Sequence, residues 1–199
     1  MMDVIHIPVI SIVFLTPTID FDLYTGIIIT SKQAAQALKS YSPDWSQLQV
    51  VCVGESTASA IKEFGALHVE IADGYGVSIL EVLSSHKGRW LYPRPKLIAS
   101  SWPINARELG MEIDEKIIYE TTCNDEMKKI EVAKDGVLIF TSPSSIECFC
   151  KHTDILPTHD VIVIGETTQK ALPSGIRSIL STDTSIDSCV RKAREVATS

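Results

Sequence analysis

The chain repeats itself at a fixed distance. GIIITS at Gly26–Ser31 returns as GVLIFTS at Gly136–Ser142, and VVCVGEST at Val50–Thr57 returns as VIVIGETT at Val161–Thr168. Thr30 and Thr141 lie 111 residues apart, as do Gly54 and Gly165, so 24 residues separate the two motifs in each copy. A third match, VSILEVL from Val77 against TSIDSCV from Thr184, stands at an offset of 107. Three matches in order, two at one offset, indicate duplication, and duplication dictates two units of like architecture.

Each copy reads strand, helix, strand, helix, short strand, helix. The strands IIIT, VVCV, VLIF and VIVI are continuously apolar rather than alternating, the pattern of parallel strands covered on both faces. Ser31 and Ser142 are placed as helix N-caps, with Pro143 at the first helical position. Gly65 closes the helix after Gly54, and Pro173 cuts short the helix after Gly165. Ile186, Cys189, Val190, Ala193, Val196 and Ala197 form an apolar stripe on the last helix. Alternating strands and helices predict an open α/β sheet in each of two domains.

Between the copies, WLYP predicts a strand, and Lys96–Leu109 a Pro-containing loop or helix stopped by Gly110. EKIIYETT, Glu115–Thr122, is extended, as is ISIVFL, Ile10–Leu15, ahead of the first copy. The two extended segments flank one domain and can pair as a two-stranded connector. The N-terminal MMDVIHIPVISIVFL has no basic leader region, carries Asp3 and His6 and is broken by Pro8, so it reads as strand rather than signal peptide.

Composition sets limits. The 199 residues are 45% hydrophobic, enough for a sizeable core. A net charge of −7, from 25 acids against 18 bases, argues against a nucleic-acid partner. No run reaches the length of a membrane span. Five cysteines without paired spacing suit a reducing, cytoplasmic setting. Cys52 reads as a small core residue, and Cys148 and Cys150, two apart on a helix, are poorly spaced for a metal. The histidines add no ligand pattern, and no metal is expected.

The four marked turns all fall at the carboxyl ends of strands, where open α/β sheets bind ligands. Each opens a helix whose first N–H groups lack backbone partners and bind phosphate or carboxylate without a basic side chain. Gly54 and Gly165 leave room for close approach. The hydroxyls of Ser31, Thr57, Ser142, Thr167 and Thr168 add donors. Taken singly, each Ser or Thr is ordinarily a cap and each Gly a backbone requirement. Glu55 and Glu166 read as solvated first-turn acids that would repel an anion. Four such turns on two domains that could face each other instead make a duplicated cradle for a ligand with several carboxylates or phosphates. No GxSxG, Walker lysine, GxGxxG or close carboxylate pair occurs. Tyr119 is a candidate acid or oriented donor, though packing would explain it equally. Arg94, between prolines in YPRPK, can pair with a carboxylate or be a solvated loop arginine.

The Thr-Ser turns (IIITSK, LIFTSPSS), the Gly-x-x-Thr turns (VGEST, IGETT), LYPRP and IIYETT together resemble uroporphyrinogen-III synthases from about Pro8 to the C-terminus. The resemblance implies two flavodoxin-like parallel-sheet α/β domains joined by a two-stranded connector. Domain one is discontinuous, 1–15 and 121–199, and domain two, 18–117, is inserted. It implies cyclisation of hydroxymethylbilane, a linear tetrapyrrole with eight carboxylates, with inversion of ring D and no metal or organic cofactor. By position it assigns Tyr119 to departure of the substrate hydroxyl. Substrate contacts fall to Thr30, Ser31, Lys32, Gly54, Ser56, Thr57, Arg94, Ser142, Ser144, Gly165, Thr167 and Thr168. It implies a cytoplasmic monomer, with hand-over from hydroxymethylbilane synthase and neither nucleic acid nor membrane as partner. Family members usually begin with a strand, turn and helix for which only Met1–Ile7 could stand in here, so the expectation is either that domain one lacks them or that the start codon lies upstream. The residues alone leave open a non-catalytic two-lobed small-anion binding protein, or an inactive truncated homologue.

Overall fold

The structure is a computed structural model that describes residues 4–73, 77–98, 100–127 and 130–197. Met1–Asp3 of the N-terminal segment, and Ala99 of the segment expected to be loop or helix, lie outside the described residues. The chain divides into two compact units. Unit 1 takes the residues up to Ser11 and from Thr122 onward, and unit 2 runs from Ile12 to Thr121.

Unit 2 is built on the strands β2 (Gly26–Ile29), β3 (Gln49–Val53), β4 (His68–Ala72), β5 (Arg89–Pro95) and β6 (Glu112–Cys123, whose last two residues belong to unit 1). The order across the sheet is β6-β5-β2-β3-β4, all parallel, with β1 (Ile10–Phe14) beside β6. The β1–β6 pair is antiparallel, because Leu15 N–H donates to Ile118 while Asn124 N–H donates to Val9. Among the described residues of the N-terminal segment expected to be strand, Ile10–Phe14 alone forms one.

Aliphatic side chains alternate between two cores. Ile27, Ile29, Val50 and Cys52 pack with α1 (Lys32–Leu38) and α2 (Glu55–Glu63), whereas Ile28, Val51 and Val53 pack with α3 (Val77–Ser84) and α4 (Trp102–Glu108). Burial on both faces is what the continuous apolar runs demand. The strand order corrects the flavodoxin-like expectation, since flavodoxin-like sheets run 2-1-3-4-5 and this one runs 3-2-1-4-5. Burial accounts for the difference. β4 is exposed or half-buried over four of its five residues and suits an edge, whereas β3, which a flavodoxin-like order would put at the edge, is buried over Val50–Val53 and sits between two neighbours.

Unit 1 carries, among the described residues, a parallel sheet in the order β7 (Val137–Phe140), β8 (Asp160–Val163), β9 (Ser178–Leu180). Val161 and Val163 pack beneath α5 (Pro143–Cys150) and the short α6 (Glu166–Gln169), while Ile162 packs on Cys189 and Ala193 of α7 (Ile186–Ala197). The α7 stripe is narrower than expected, for Ile186 and Ala197 are exposed. Cys123 and Cys148 form a disulfide in unit 1, which corrects the reading of unpaired cysteines. The bridge joins the end of one strand to a helix 25 residues later, a meeting made by the fold and not by local spacing. No helix among the described residues is long and apolar enough to cross a membrane.

Candidate functional site

In unit 2 the strand order reverses between β2 and β5. β3 and β4 extend to one side of β2, and β5 and β6 to the other. The crevice beyond the carboxyl ends of strands at such a point is where open α/β sheets bind ligands. Thr30 and Ser31 follow directly on β2, and successive strand residues face opposite ways. Thr30 Oγ1 meets Tyr92 Oη at 3.2 Å, and Ser31 Oγ meets Tyr119 Oη at 2.8 Å. Ser31 also caps α1, its Oγ accepting from Ala34 N–H at 3.1 Å. One oxygen thus ends the strand, starts the helix and holds the tyrosine. The neighbouring Lys32 is exposed.

Tyr119 is buried, but its hydroxyl is engaged rather than merely packed. Tyr92, which sequence reasoning missed, is buried beneath Thr30 and Trp102. Burial pushes its phenol pKa up, against a smaller opposing effect from the Thr30 hydrogen bond. It therefore stays protonated through the neutral range. The signal lay in LYPRP itself, because a tyrosine two residues before the singled-out arginine shares its strand face.

Arg94, at the end of β5, is engaged within the protein. Its Nε forms an ion pair with Glu115, and its Nη1 donates to the carbonyls of Pro95 and Lys96 at 2.8 and 3.1 Å. Glu115 also takes Arg107 of α4, so two guanidinium groups share one carboxylate.

The second turn of each unit separates its hydroxyls by helical phase. Ser56 and Thr167 are exposed, whereas Thr57 and Thr168 are buried at 4% and 3% exposure. Of each pair expected to contact the ligand, only the first hydroxyl is exposed to solvent. Thr57 lies on the buried face of α2 with Ala58 and Ile61. Glu55 and Glu166 are exposed. The two glycines also differ. Gly54 has φ +77°, and Gly165 is extended at φ −176°. Only the first needs glycine for its backbone.

In unit 1, Ser142 caps α5 with Pro143 in the first turn, and a reciprocal bond to Ser145 completes a capping box. Ser144 Oγ lies 3.2 Å from Ser142 Oγ. The loop after β9 packs beside the Gly165 turn, so that a Cβ on Gly165 would meet Thr184 at 3.9 Å. Asp183 of this loop is held below the usual carboxylate range, chiefly by its hydrogen bond with Ser185. A cavity of about 470 Å³ lies elsewhere, at the amino ends of β5 and β6 against His86 and Trp90, and includes none of the turn residues.

These features define a class, an α/β protein with hydroxyl-bearing helix starts at the ligand edge of its sheets and a hydrogen-bonded tyrosine at the switch point of one. The particular family follows from comparison. Residues 2–191 match the family described as Uroporphyrinogen-III synthase HemD, and the chain belongs to it. Uroporphyrinogen-III synthetase from Helicobacter pylori superposes with a TM-score of 0.81 at 22% identity, covering 96% of this chain and 92% of that one. A mutant uroporphyrinogen III synthase from Thermus thermophilus gives a TM-score of 0.55 at 14% identity, covering 96% and 88%. No curated protein matched.

Proposed function

We propose that Tyr119, held by the capped Ser31, is the proton donor of this chain's synthase reaction. As a uroporphyrinogen-III synthase the chain is a cyclising lyase of tetrapyrrole biosynthesis. The hydroxyl leaves ring A of hydroxymethylbilane as water, and an azafulvene forms. The substituted carbon of ring D attacks it to give a spiro intermediate, and fragmentation and reclosure invert that ring.

The observation that carries the assignment is the chain of donors at the end of β2. Ala34 N–H donates to Ser31 Oγ, and Ser31 Oγ and Tyr119 Oη share a hydrogen bond in which either hydroxyl can donate. With Ser31 donating, Tyr119 gives its own proton to the departing hydroxyl, and Ser31 steadies the oxygen left behind. Such chains polarise one another.

The substrate carboxylates are met by the exposed donors Ser56, Thr167 and Lys32 and by the half-buried Ser142–Ser144 pair. Backbone N–H groups at the starts of α2 and α5 add to these. Gly54 and Gly165 admit the ligand close to the backbone. Thr30, Thr57 and Thr168 shape the turns from within. The two units are read as the family's two domains, joined by β1 and β6 as a two-stranded connector. The protein acts as a cytoplasmic monomer receiving its substrate from hydroxymethylbilane synthase.

The test is the isomer of the product. Purified protein converts hydroxymethylbilane to type III uroporphyrinogen, and Tyr119→Phe lowers kcat by roughly 100-fold, within the range for general acid catalysis. Type I product alone from folded protein would overturn the reading, and an unchanged rate in Tyr119→Phe would remove Tyr119 from it.

A further inference from the structure

Tyr119 should not reach Ser31 by strand alternation. On β6, Ile113 faces the α3–α4 core and Asp114 faces the other way, where its carboxylate accepts from Tyr24 Oη. Counting in twos, Glu115, Ile117 and Tyr119 belong with Ile113, whereas Lys116 and Ile118 belong with Asp114. Yet Ile118 and Tyr119 both pack in the α1–α2 core. The pairing with β5 explains this. Arg94 is opposite Ile117 but Pro95 is opposite Tyr119, so β6 carries one extra residue, a bulge, at Ile118. A bulge re-aims the side chains beyond it. Without it Tyr119 would face α4, and the bond to Ser31 could not form.

We propose that Glu115, through Arg94, is a positioning residue that holds this bulge and so aims Tyr119. The link is continuous. Glu115 takes the Nε of Arg94 and is braced from α4 by Arg107. Arg94 Nη1 gathers the carbonyls of Pro95 and Lys96, which turns the chain as it leaves β5. Lys96 N–H then donates to the Tyr119 carbonyl at 3.0 Å, and Lys96 Nζ pairs with Glu120 at 2.8 Å. Glu115 and Arg94 are each less than one-fifth exposed in their side chains, where solvent screens the attraction of an ion pair less than at the surface. The arginine is a strut, and its role in the reaction is exercised through the tyrosine.

The proposal rests on Tyr119 being the proton donor, and the test separates the two. Glu115→Gln keeps the shape and removes the charge that holds both arginines. Its kcat falls roughly 10- to 100-fold, as expected when a catalytic group is misplaced by about an ångström, with KM within about twofold of wild type. In a Tyr119→Phe background the same change has little further effect on kcat. Arg94→Lys keeps a charge but cannot span Glu115 and two carbonyls, and it repeats the split should Glu115→Gln fold poorly. The phenolic carbon resonance of Tyr119, read by NMR in protein with labelled tyrosine, moves in both variants while that of Tyr41 stays. An unmoved Tyr119 resonance overturns the proposal whatever the activity. Additive losses in the double variant, or a loss confined to KM, overturn it too. If Tyr119→Phe alone is fully active, the functional reading fails and the resonance shift still decides the positioning.

Discussion

Gly54 and Gly165 hold the same place in the two copies but answer to different constraints. At Gly54 the positive φ is closed to other residues, so Gly54→Ala should cost about 1–3 kcal/mol in thermal or urea denaturation even though an added Cβ meets nothing within 4 Å. At Gly165 the backbone is extended and the added Cβ makes only an ordinary contact, so Gly165→Ala should shift stability by less than about 0.5 kcal/mol. A raised KM in that variant then marks close approach by a ligand, and an unchanged KM removes Gly165 from the binding set. The sequence could not separate the two glycines, since identical motifs adopt different torsions. It could have separated Ser56 from Thr57, because Thr57, Ala58 and Ile61 share one helical face and Ser56 does not. Cys52 was legible as a core residue. Burial pushes its thiol from 9.0 up to about 12. A raised acid contributes stability that is whole below the unfolded-state value and is lost as pH rises toward the folded one. Unfolding free energy should therefore decline from about pH 9 to 12, and Cys52→Ala should remove that share of the slope. A slope unchanged in the variant would assign the decline to other groups.

Element by element, what could be read was what is local. Ser31 and Ser142 cap their helices as their position before the helical pattern required, and Gly65 and Gly110 end theirs at positive φ. Ser142→Ala should cost about 1 kcal/mol through loss of the cap, measurable by urea unfolding. What could not be read was what one element does to another. The order β6-β5-β2-β3-β4, the bulge at Ile118 and the Thr30–Tyr92 bond all depend on register between strands distant in sequence. The Cys123–Cys148 bridge belongs here too. A cross-link over a loop of this length is worth about 2–4 kcal/mol. Reductant should lower the unfolding free energy of the wild type, read from urea denaturation, by that amount and leave Cys148→Ser untouched, while Cys150→Ser keeps the response. In a reducing compartment this contribution is absent and both residues are thiols.

For the molecule as a whole, the duplication was the most legible feature and charge the most misleading. A net charge of −7 argues against a nucleic-acid partner, yet the substrate of the family's reaction, hydroxymethylbilane, carries eight carboxylates. The conflict dissolves when range is considered. At 0.1 M salt, charges beyond about 10 Å are largely screened, whereas hydrogen bonds from N–H and hydroxyl groups act at contact. On the proposed reading, the acidic surface opposes approach at a distance and the turns hold the ligand once it arrives. This predicts an uncommon salt response. Between about 20 and 200 mM salt, screening weakens the long-range repulsion more than the contact hydrogen bonds, so KM for hydroxymethylbilane should fall or stay level, and kcat should not change. An enzyme gripping its substrate through a cationic face would instead show KM rising steeply, as affinity built on phosphate neutralisation does. Lys32→Ala sharpens the comparison, because Lys32 is an exposed cation at the end of β2. Its KM should rise in both salts, by less at the higher one, while the wild-type trend keeps its sign. A steep rise of the wild-type KM with salt would mean that cations, and not backbone and hydroxyl donors, carry the binding.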